Sequence, residues 1–431
     1  MKYFSTNRRA PSVDFKDATL SGQAPDKGLY FPSNIPNLPV SFFDRIEHLS
    51  KEEIALEVIQ PFVGDSIPVK DLMDIVTKTI AFDFPLKKLN ECIYTLELFH
   101  GPTLAFKDVG AGFMSRCLGH FAKTIEKEIT VLVATSGDTG GAVAAGFAGV
   151  EGIRVIILYP SGKVSNVQEL QLTTWGRNIH AYEVKGNFDD CQSMVKQAFA
   201  DHELRNKMFL TSANSINVAR WLPQQFYYFF AWKQWVDKKH PPVISVPSGN
   251  FGNICSGLLA MKSGLPIKHF IAACNINTTI PEFMQTGNYQ PQKAKATLSN
   301  AMDVGDPSNF VRILEIFDHQ FKGIQKAMSS YSITDEETIN TIKKINKEYA
   351  YLLDPHGAVG YAALEKYLSG HTGEKGIFLE TAHPVKFDNT MEKILGYPLP
   401  LPEHVKSLYQ KKKISTKMNP DYDALKNELI K

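Results

Sequence analysis

Cysteine is scarce and scattered in this 431-residue chain: Cys92, Cys117, Cys191, Cys255 and Cys274 form no Cys-x-x-Cys pair. That excludes a disulfide framework and a paired-cysteine zinc site, and it fits a reducing cytoplasmic setting. Long apolar runs are missing too. No stretch reaches the about 18 consecutive apolar residues of a membrane helix. Arg8 and Arg9 near the start are followed by no apolar segment of a signal peptide, so neither export nor membrane insertion is expected. Charge of one sign is not in excess, since 47 Lys and Arg face 45 Asp and Glu for a net +2. A nucleic-acid or membrane-surface partner is therefore not expected, and any anion site has to be built locally. No internal repeat, low-complexity tract or metal-ligand spacing occurs.

What is present is enough apolar material, 43% with 11% aromatic residues, to bury a large core divided over two or three domains. From about residue 93 to 275, short β-branched runs alternate with longer helical patterns, the rhythm of an α/β protein with parallel strands. Strands are expected at 93–98, 129–134, 154–159, 179–184, 208–211, 243–246 and 270–274, with another near 376–381. Prolines, among them Pro25, Pro32, Pro36, Pro39, Pro61 and Pro68, break up the first 90 residues, which read as a separate helical extension with a helix near 72–80. Residues 276–330 read as irregular. Thr334 and Glu337 have the spacing of a capping box. The lysine-rich tail after Pro402 reads as a surface helix with a loose end.

Three loops carry chemistry. In His-Gly-Pro-Thr-Leu-Ala-Phe-Lys-Asp at 100–108, Lys107 follows an apolar run, and Val109, Phe113, Cys117 and Phe121 then recur at helical spacing. Lys107 is expected at a strand-to-helix junction, where the helix dipole and apolar neighbours favour the neutral amine that Schiff-base chemistry needs. Pro-Ser-Gly-Asn-Phe-Gly-Asn at 247–253 follows a predicted strand and opens a predicted helix, an arrangement that points free amides at a phosphate. Thr-Ser-Gly-Asp-Thr-Gly-Gly at 135–141 is a second such loop, suited to a carboxylate or to a plain helix cap. Two anion cradles and an activated lysine suit a cofactor bearing a phosphate and an aldehyde, and pyridoxal 5'-phosphate has both.

The 100–108 segment, the 136–141 and 248–253 loops, Asp-Pro-His at 354–356 and Thr-Ala-His-Pro-Val-Lys-Phe at 381–387 together resemble the threonine synthase family. Tyr-Phe-Ser-Thr-Asn at 3–7 and Lys-Gly-Leu-Tyr-Phe-Pro at 27–32 resemble the opening of its longer bacterial and fungal branch. The resemblance implies a fold type II pyridoxal-phosphate enzyme, tryptophan synthase β-subunit-like. The expected division is an extension over 1–90 and two α/β domains, interleaved, over 91–220 and 221–431. It implies conversion of O-phosphohomoserine and water to threonine and phosphate.

Within the resemblance, Lys107 is the Schiff-base lysine and then the base at the α-carbon. Ser248, Gly249, Asn250, Phe251, Gly252 and Asn253 hold the cofactor phosphate, and Thr381 faces the pyridine nitrogen. Ser136, Gly137 and Thr139 grip the substrate carboxylate. Asn214, Ser215 and Arg220 contact the substrate phosphate, with Lys163 a weaker candidate. Asp138 stands where many fold relatives carry asparagine near the cofactor's 3-hydroxyl. An ionised carboxylate only accepts hydrogen bonds, so Asp138 has to be protonated, face a phenol proton or point elsewhere. His356 and His383, each beside a proline, are expected to be structural. No second base is evident for the β- and γ-carbons, and the released phosphate is a candidate. Competing readings are a phospho-lyase giving 2-oxobutyrate, a hydroxy-amino-acid dehydratase and a non-catalytic binder. A monomer is expected.

Overall fold

The computed structural model describes residues 1–430. Its strands are β1 (Tyr3–Ser5), β2 (Tyr30–Pro32), β3 (Leu86–Lys88), β4 (Ile93–Glu97), β5 (Ile129–Ala134), β6 (Ile153–Pro160) and β7 (Ile179–Val184). They continue with β8 (Phe209–Thr211), β9 (Val243–Pro247), β10 (His269–Cys274), β11 (Met328–Ser332), β12 (Gly376–Glu380) and β13 (Thr416–Met418). A six-stranded sheet runs β11-β10-β9-β12-β4-β3, and a five-stranded sheet runs β13-β7-β6-β5-β8. Within these two sheets all pairings are parallel except β3 against β4. Helices cover these sheets, so β5, β9 and β12 are buried along their whole length. Such strands read as continuous apolar runs, which is why they were legible.

The chain crosses between the sheets. β4 joins β12 in the larger sheet, while β5 to β8 build the smaller one and β13 returns to its edge. Strand ends then converge. β4, β9 and β12 deliver residues 98–107, 248–253 and 381–387 from one sheet. β5, β6 and β8 deliver 135–138, 161–165 and 212–217 from the other. Open parallel sheets build their sites at such carboxyl ends.

The first 90 residues do not stand apart. β1 and β2 pair, and Phe15, from the helix Phe15–Ser21, meets Phe113 and Phe121 edge-on at 6.5 and 6.4 Å. Both partners lie on the helix that begins at Lys107. Aromatic contacts of this kind add about 0.5–1.5 kcal/mol each beyond area burial, so the extension braces the helix that carries the lysine.

Two further stretches differ from the sequence expectation. Residues 276–330 contain the helices Thr279–Thr286, Phe310–Ile316 and Phe321–Ala327, then β11. Each has only seven or eight residues, too few turns to display a period. The tail holds the helix Glu403–Tyr409, but it then pairs β13 with β7 and ends in the helix Tyr422–Ile430, which buries Leu425 and Leu429. Lys413 stays exposed while bridging Glu169 at 2.5 Å and Glu183 at 3.1 Å. Two apolar anchors among lysines gave no visible stripe.

Candidate active site

Lys107 is the first residue of the helix Lys107–Ala122. The turn before it carries Leu104 at φ 60°, a left-handed conformation that costs a leucine about 1–3 kcal/mol. The turn is held by the C-terminal end of β12: Phe106 N–H donates to Thr381 O at 2.9 Å and His383 N–H to Leu104 O at 3.0 Å. Thr381 is thereby fixed beside the lysine loop, as a buried residue. Lys107 Nζ lies 3.5 Å from Asp138 Oδ2, with 17% of its side chain exposed. Burial lowers its pKa; Asp138 opposes this, while the charges of Lys386 and Arg220 add to it. The amine is thus biased toward the neutral form that bonds to an aldehyde.

Asp138 heads the helix Asp138–Phe147. Its Oδ1 accepts from Gln168 Nε2 at 2.8 Å and lies 3.2 Å from Lys386 Nζ. Burial works against ionisation, but Lys386 and Lys107 outweigh it and hold the carboxyl well below the usual range. Of the options open to Asp138, this favours the ionised form.

The rest of the 135–141 loop is organised by Thr135, whose Oγ1 accepts the N–H groups of Gly137 at 3.0 Å and Gly140 at 2.9 Å. Gly137 sits at φ 138°, and a Cβ there would come within 2.5 Å of Gln168. With the Gly137 amide committed to Thr135, exposed Ser136 and half-buried Thr139 carry the polar groups left for a ligand.

The glycine loop follows β9. Ser248 spends both donors internally, N–H to Ala273 O at 2.8 Å and Oγ–H to Val246 O at 2.8 Å. A Cβ on Gly249 would stand 2.7 Å from Met302 Cα and 2.8 Å from Ala301 O. Phe251 adopts φ 61°, turning the chain into the helix Gly252–Lys262, whose first amides have no intrahelical acceptor. Asn250 Oδ1 accepts from Ser308 N–H and Oγ–H at 2.7 Å each, while its Nδ2 donates to Ser215 Oγ at 2.8 Å. Asn253 Oδ1 accepts from Tyr227 and Tyr228, each at 2.7 Å, and its buried Nδ2 has no partner among the described residues.

After β8, Asn214 N–H donates to Ser212 Oγ at 3.3 Å. Ser215 Oγ accepts a second amide, from Asn309 at 3.1 Å, which leaves its own proton to donate. Arg220 is buried at 3% exposure, and its Nε and Nη1 have no partner among the described residues. Burial lowers its pKa to about 10, against the pull of Asp108. A buried guanidinium without a counter-ion is costly and points to an anionic ligand. Lys163 is exposed, and no hydrogen bond or ion pair joins its side chain to the other candidates. His356 is held between Asp354 Oδ1 at 2.6 Å and Ala301 N–H at 3.2 Å, and His383 Nδ1 accepts from Val385 N–H at 3.1 Å.

A depressed lysine, a crowded glycine loop at a helix start and an unpaired buried cation fit a phosphate-bearing aldehyde and an anionic substrate. Comparisons with known proteins agree. Residues 75–379 match the family model for pyridoxal-phosphate dependent enzymes, residues 2–80 that for the threonine synthase N terminus, and 357–428 that for the threonine synthase C-terminal region. The chain is 42% identical to the threonine synthase of Escherichia coli K12 over 431 residues, covering 100% of this chain and 99% of the relative. The chain belongs to the threonine synthase family. A solved pyridoxal-phosphate-bound threonine synthase from Brucella melitensis superimposes with a TM-score of 0.94 at 34% identity, covering 100% of this chain and 99% of that one. Saccharomyces cerevisiae threonine synthase is 35% identical, covering 99% of this chain and 97% of the relative. This threonine synthase family member is thus a pyridoxal-phosphate-dependent enzyme of the tryptophan synthase-like α/β class, and the full-length similarity supports threonine synthase function.

Sequence reasoning missed four residues of this site: Lys386, Gln168, Thr135 and Asn309. Lys386 is fully buried and reaches Asp138 from the turn after β12. Its one signal was a lysine inside an otherwise apolar Pro-Val-Lys-Phe turn.

Proposed function

We propose that this chain converts O-phospho-L-homoserine and water to L-threonine and phosphate, with Lys107 carrying the cofactor. The observation that carries the reading is a depressed Lys107 amine beside an ionised Asp138, with the unpaired Arg220 guanidinium buried nearby. When bound, pyridoxal phosphate supplies an electron sink that stabilises negative charge at the substrate α-carbon.

The protein supplies the rest. The amides of Gly249, Asn250, Phe251, Gly252 and Asn253 hold the cofactor phosphate, aided by the free Ser215 proton; Ser248, its donors spent, shapes the loop. Thr381 offers the pyridine nitrogen a neutral hydroxyl, which does not enforce ring protonation. Asp138, ionised, accepts from a proton near the cofactor's 3-hydroxyl. Ser136 and Thr139 bind the substrate carboxylate, with Gly137 shaping their turn. Arg220 binds the substrate phosphate through its planar fork, with Asn214 at the rim and Lys163 drawing the anion inward, while the one Ser215 proton, expected for this phosphate, goes to that of the cofactor. Lys107 Nζ takes the proton from the substrate α-carbon. For protons at the β- and γ-carbons, the departing phosphate, held by Arg220, is the base at hand, because its second ionisation lies near neutrality.

The protein is further read as a cytoplasmic monomer with a small-molecule substrate and no nucleic-acid partner; sedimentation at 48.2 kDa is the expected result. No helix among the described residues is long and apolar enough to cross a membrane. Incubating the holoenzyme with O-phosphohomoserine tests the function. Threonine and phosphate in equal amounts are expected; 2-oxobutyrate without threonine would replace the reading with a phospho-lyase.

A further inference from the structure

Asp138 faces two lysines, one on each carboxylate oxygen: Lys107 at 3.5 Å from Oδ2 and Lys386 at 3.2 Å from Oδ1. The two are not equivalent. Lys386 has 0% exposure; its ammonium donates to Thr103 O at 2.5 Å and Gln171 Oε1 at 2.8 Å and forms an ion pair with Asp138 Oδ1 at 3.2 Å. The turn that carries it is pinned as well, because Lys386 O accepts from Ser165 Oγ at 2.7 Å. Lys107 has one long polar contact and stays partly open. Lys386 is thus tied from three sides and closed to solvent, whereas Lys107 is loosely held and reaches the open site.

We propose that Lys386 is a positioning residue for the cofactor lysine: a second counter-ion to Asp138 that frees Lys107 to be neutral. This rests on the reading of Lys107 as the lysine that carries pyridoxal phosphate. Without Lys386, the buried carboxylate has Lys107 as its nearest cation, and the pair holds Lys107 protonated, the form that does not react with an aldehyde. With Lys386 present, Asp138 remains charge-balanced after the Lys107 charge has gone. Other charges around the cluster are Arg220, which repels the Lys107 ammonium; Asp108, held by Thr103 Oγ1 at 2.5 Å and Thr103 N–H at 2.9 Å; and His356, whose field also reaches Asp138. Among the described residues the Asp138 carboxylate is in direct contact with Gln168, Lys107 and Lys386, not with these three.

The test is the pH midpoint for labelling of Lys107 by an amine-acylating reagent, read by peptide mass spectrometry on the full-length protein freed of cofactor. Lys386→Met is expected to raise that midpoint by about one pH unit or more. Adding Asp138→Asn, which keeps a partner for Gln168 but removes the carboxylate charge, is expected to return it to within about half a unit of the parent. Asp138→Asn alone is expected to lower it. Should Lys386→Met alone not fold, the comparison of Asp138→Asn with the double variant reads the same charge, and Lys386→Met must again raise the midpoint. An unchanged midpoint, or a rise that Asp138→Asn does not reverse, overturns the proposal and makes Lys386 only a tie between Thr103 and Gln171. Failure of Lys107 to carry the cofactor is seen separately, as attachment to another lysine, and leaves these midpoints untouched.

Discussion

Ser215 Oγ accepts the Asn250 side-chain amide at 2.8 Å, so the loop after β8 of the smaller sheet is tied to the loop after β9 of the larger one. The tie lies at the rim where the carboxyl ends of both sheets meet. Asn309 fills the second lone pair at 3.1 Å, and no acceptor takes the Ser215 proton among the described residues, which leaves it available to a ligand.

Ser215→Ala removes that donor and orphans two amides. A hydrogen bond to a charged group contributes about 1.5–3 kcal/mol, so cofactor affinity should fall roughly ten- to hundredfold. Fluorescence titration of the cofactor-free protein with pyridoxal phosphate measures it, and unchanged affinity would remove Ser215 from the phosphate site.

Arg220 predicts opposite effects on function and stability. Arg220→Met should cut kcat/KM for O-phosphohomoserine by roughly thirtyfold or more, as expected from about 2 kcal/mol or more for truncating a buried charge that binds an anion. The cofactor-free protein should be no less stable in urea, because the variant removes an unpaired buried charge. Loss of stability with unchanged kcat/KM would make Arg220 a structural residue.

Gly249 is a steric prediction. An alanine Cβ would sit 2.7 Å from Met302 Cα and 2.8 Å from Ala301 O, both backbone atoms. Relieving such a clash costs about 1–3 kcal/mol, taken from the loop itself. Gly249→Ala should therefore weaken pyridoxal phosphate binding more than roughly tenfold while near-native circular dichroism is retained.

Glu380 predicts a pH dependence of stability. It is fully buried at the end of β12, where a Cβ on Gly357 would lie 1.6 Å from its Oε2, and burial together with the Asp354 charge raises its pKa well above the ordinary range. An unfolded glutamate titrates near 4.3, so above about that pH the native state holds a proton that the unfolded chain has lost. Stability then falls as pH rises toward the folded value, by up to about 1.4 kcal/mol per unit. Glu380→Gln abolishes this slope, so urea melts of variant and parent should diverge as the pH is raised from about 5 to about 8. Parallel curves would show that Glu380 is ionised in the native protein.

Legibility followed length and burial. β5, β6, β7, β9 and β10 were readable because each is a mostly apolar run of five to eight residues, interrupted only by isolated polar residues such as Arg154, His180 and Ser245. β1, β2, β3 and β13 were not, since three residues carry no period and, unlike the equally short β8, they lie outside the strand-and-helix alternation of residues 93–275. In the site, Lys107 and the two glycine loops stood out because each combines a strand end, small residues and a helix start. Lys386 and Gln168 did not. They act through contacts across 215 and 30 residues of sequence, to Gln171 and Asp138 respectively, which local pattern cannot see. The reverse also holds: Ser248 and Gly137 sit inside the motifs, yet their amides close the loops themselves.

The account stands on Lys107 as the lysine that bonds to the cofactor. Reducing the holoenzyme with borohydride and mapping its peptides by mass spectrometry measures this directly. A pyridoxyl-phosphate mass on Lys107, absent in Lys107→Ala, is the predicted result; the same mass on Lys386, or on any other lysine, would contradict it.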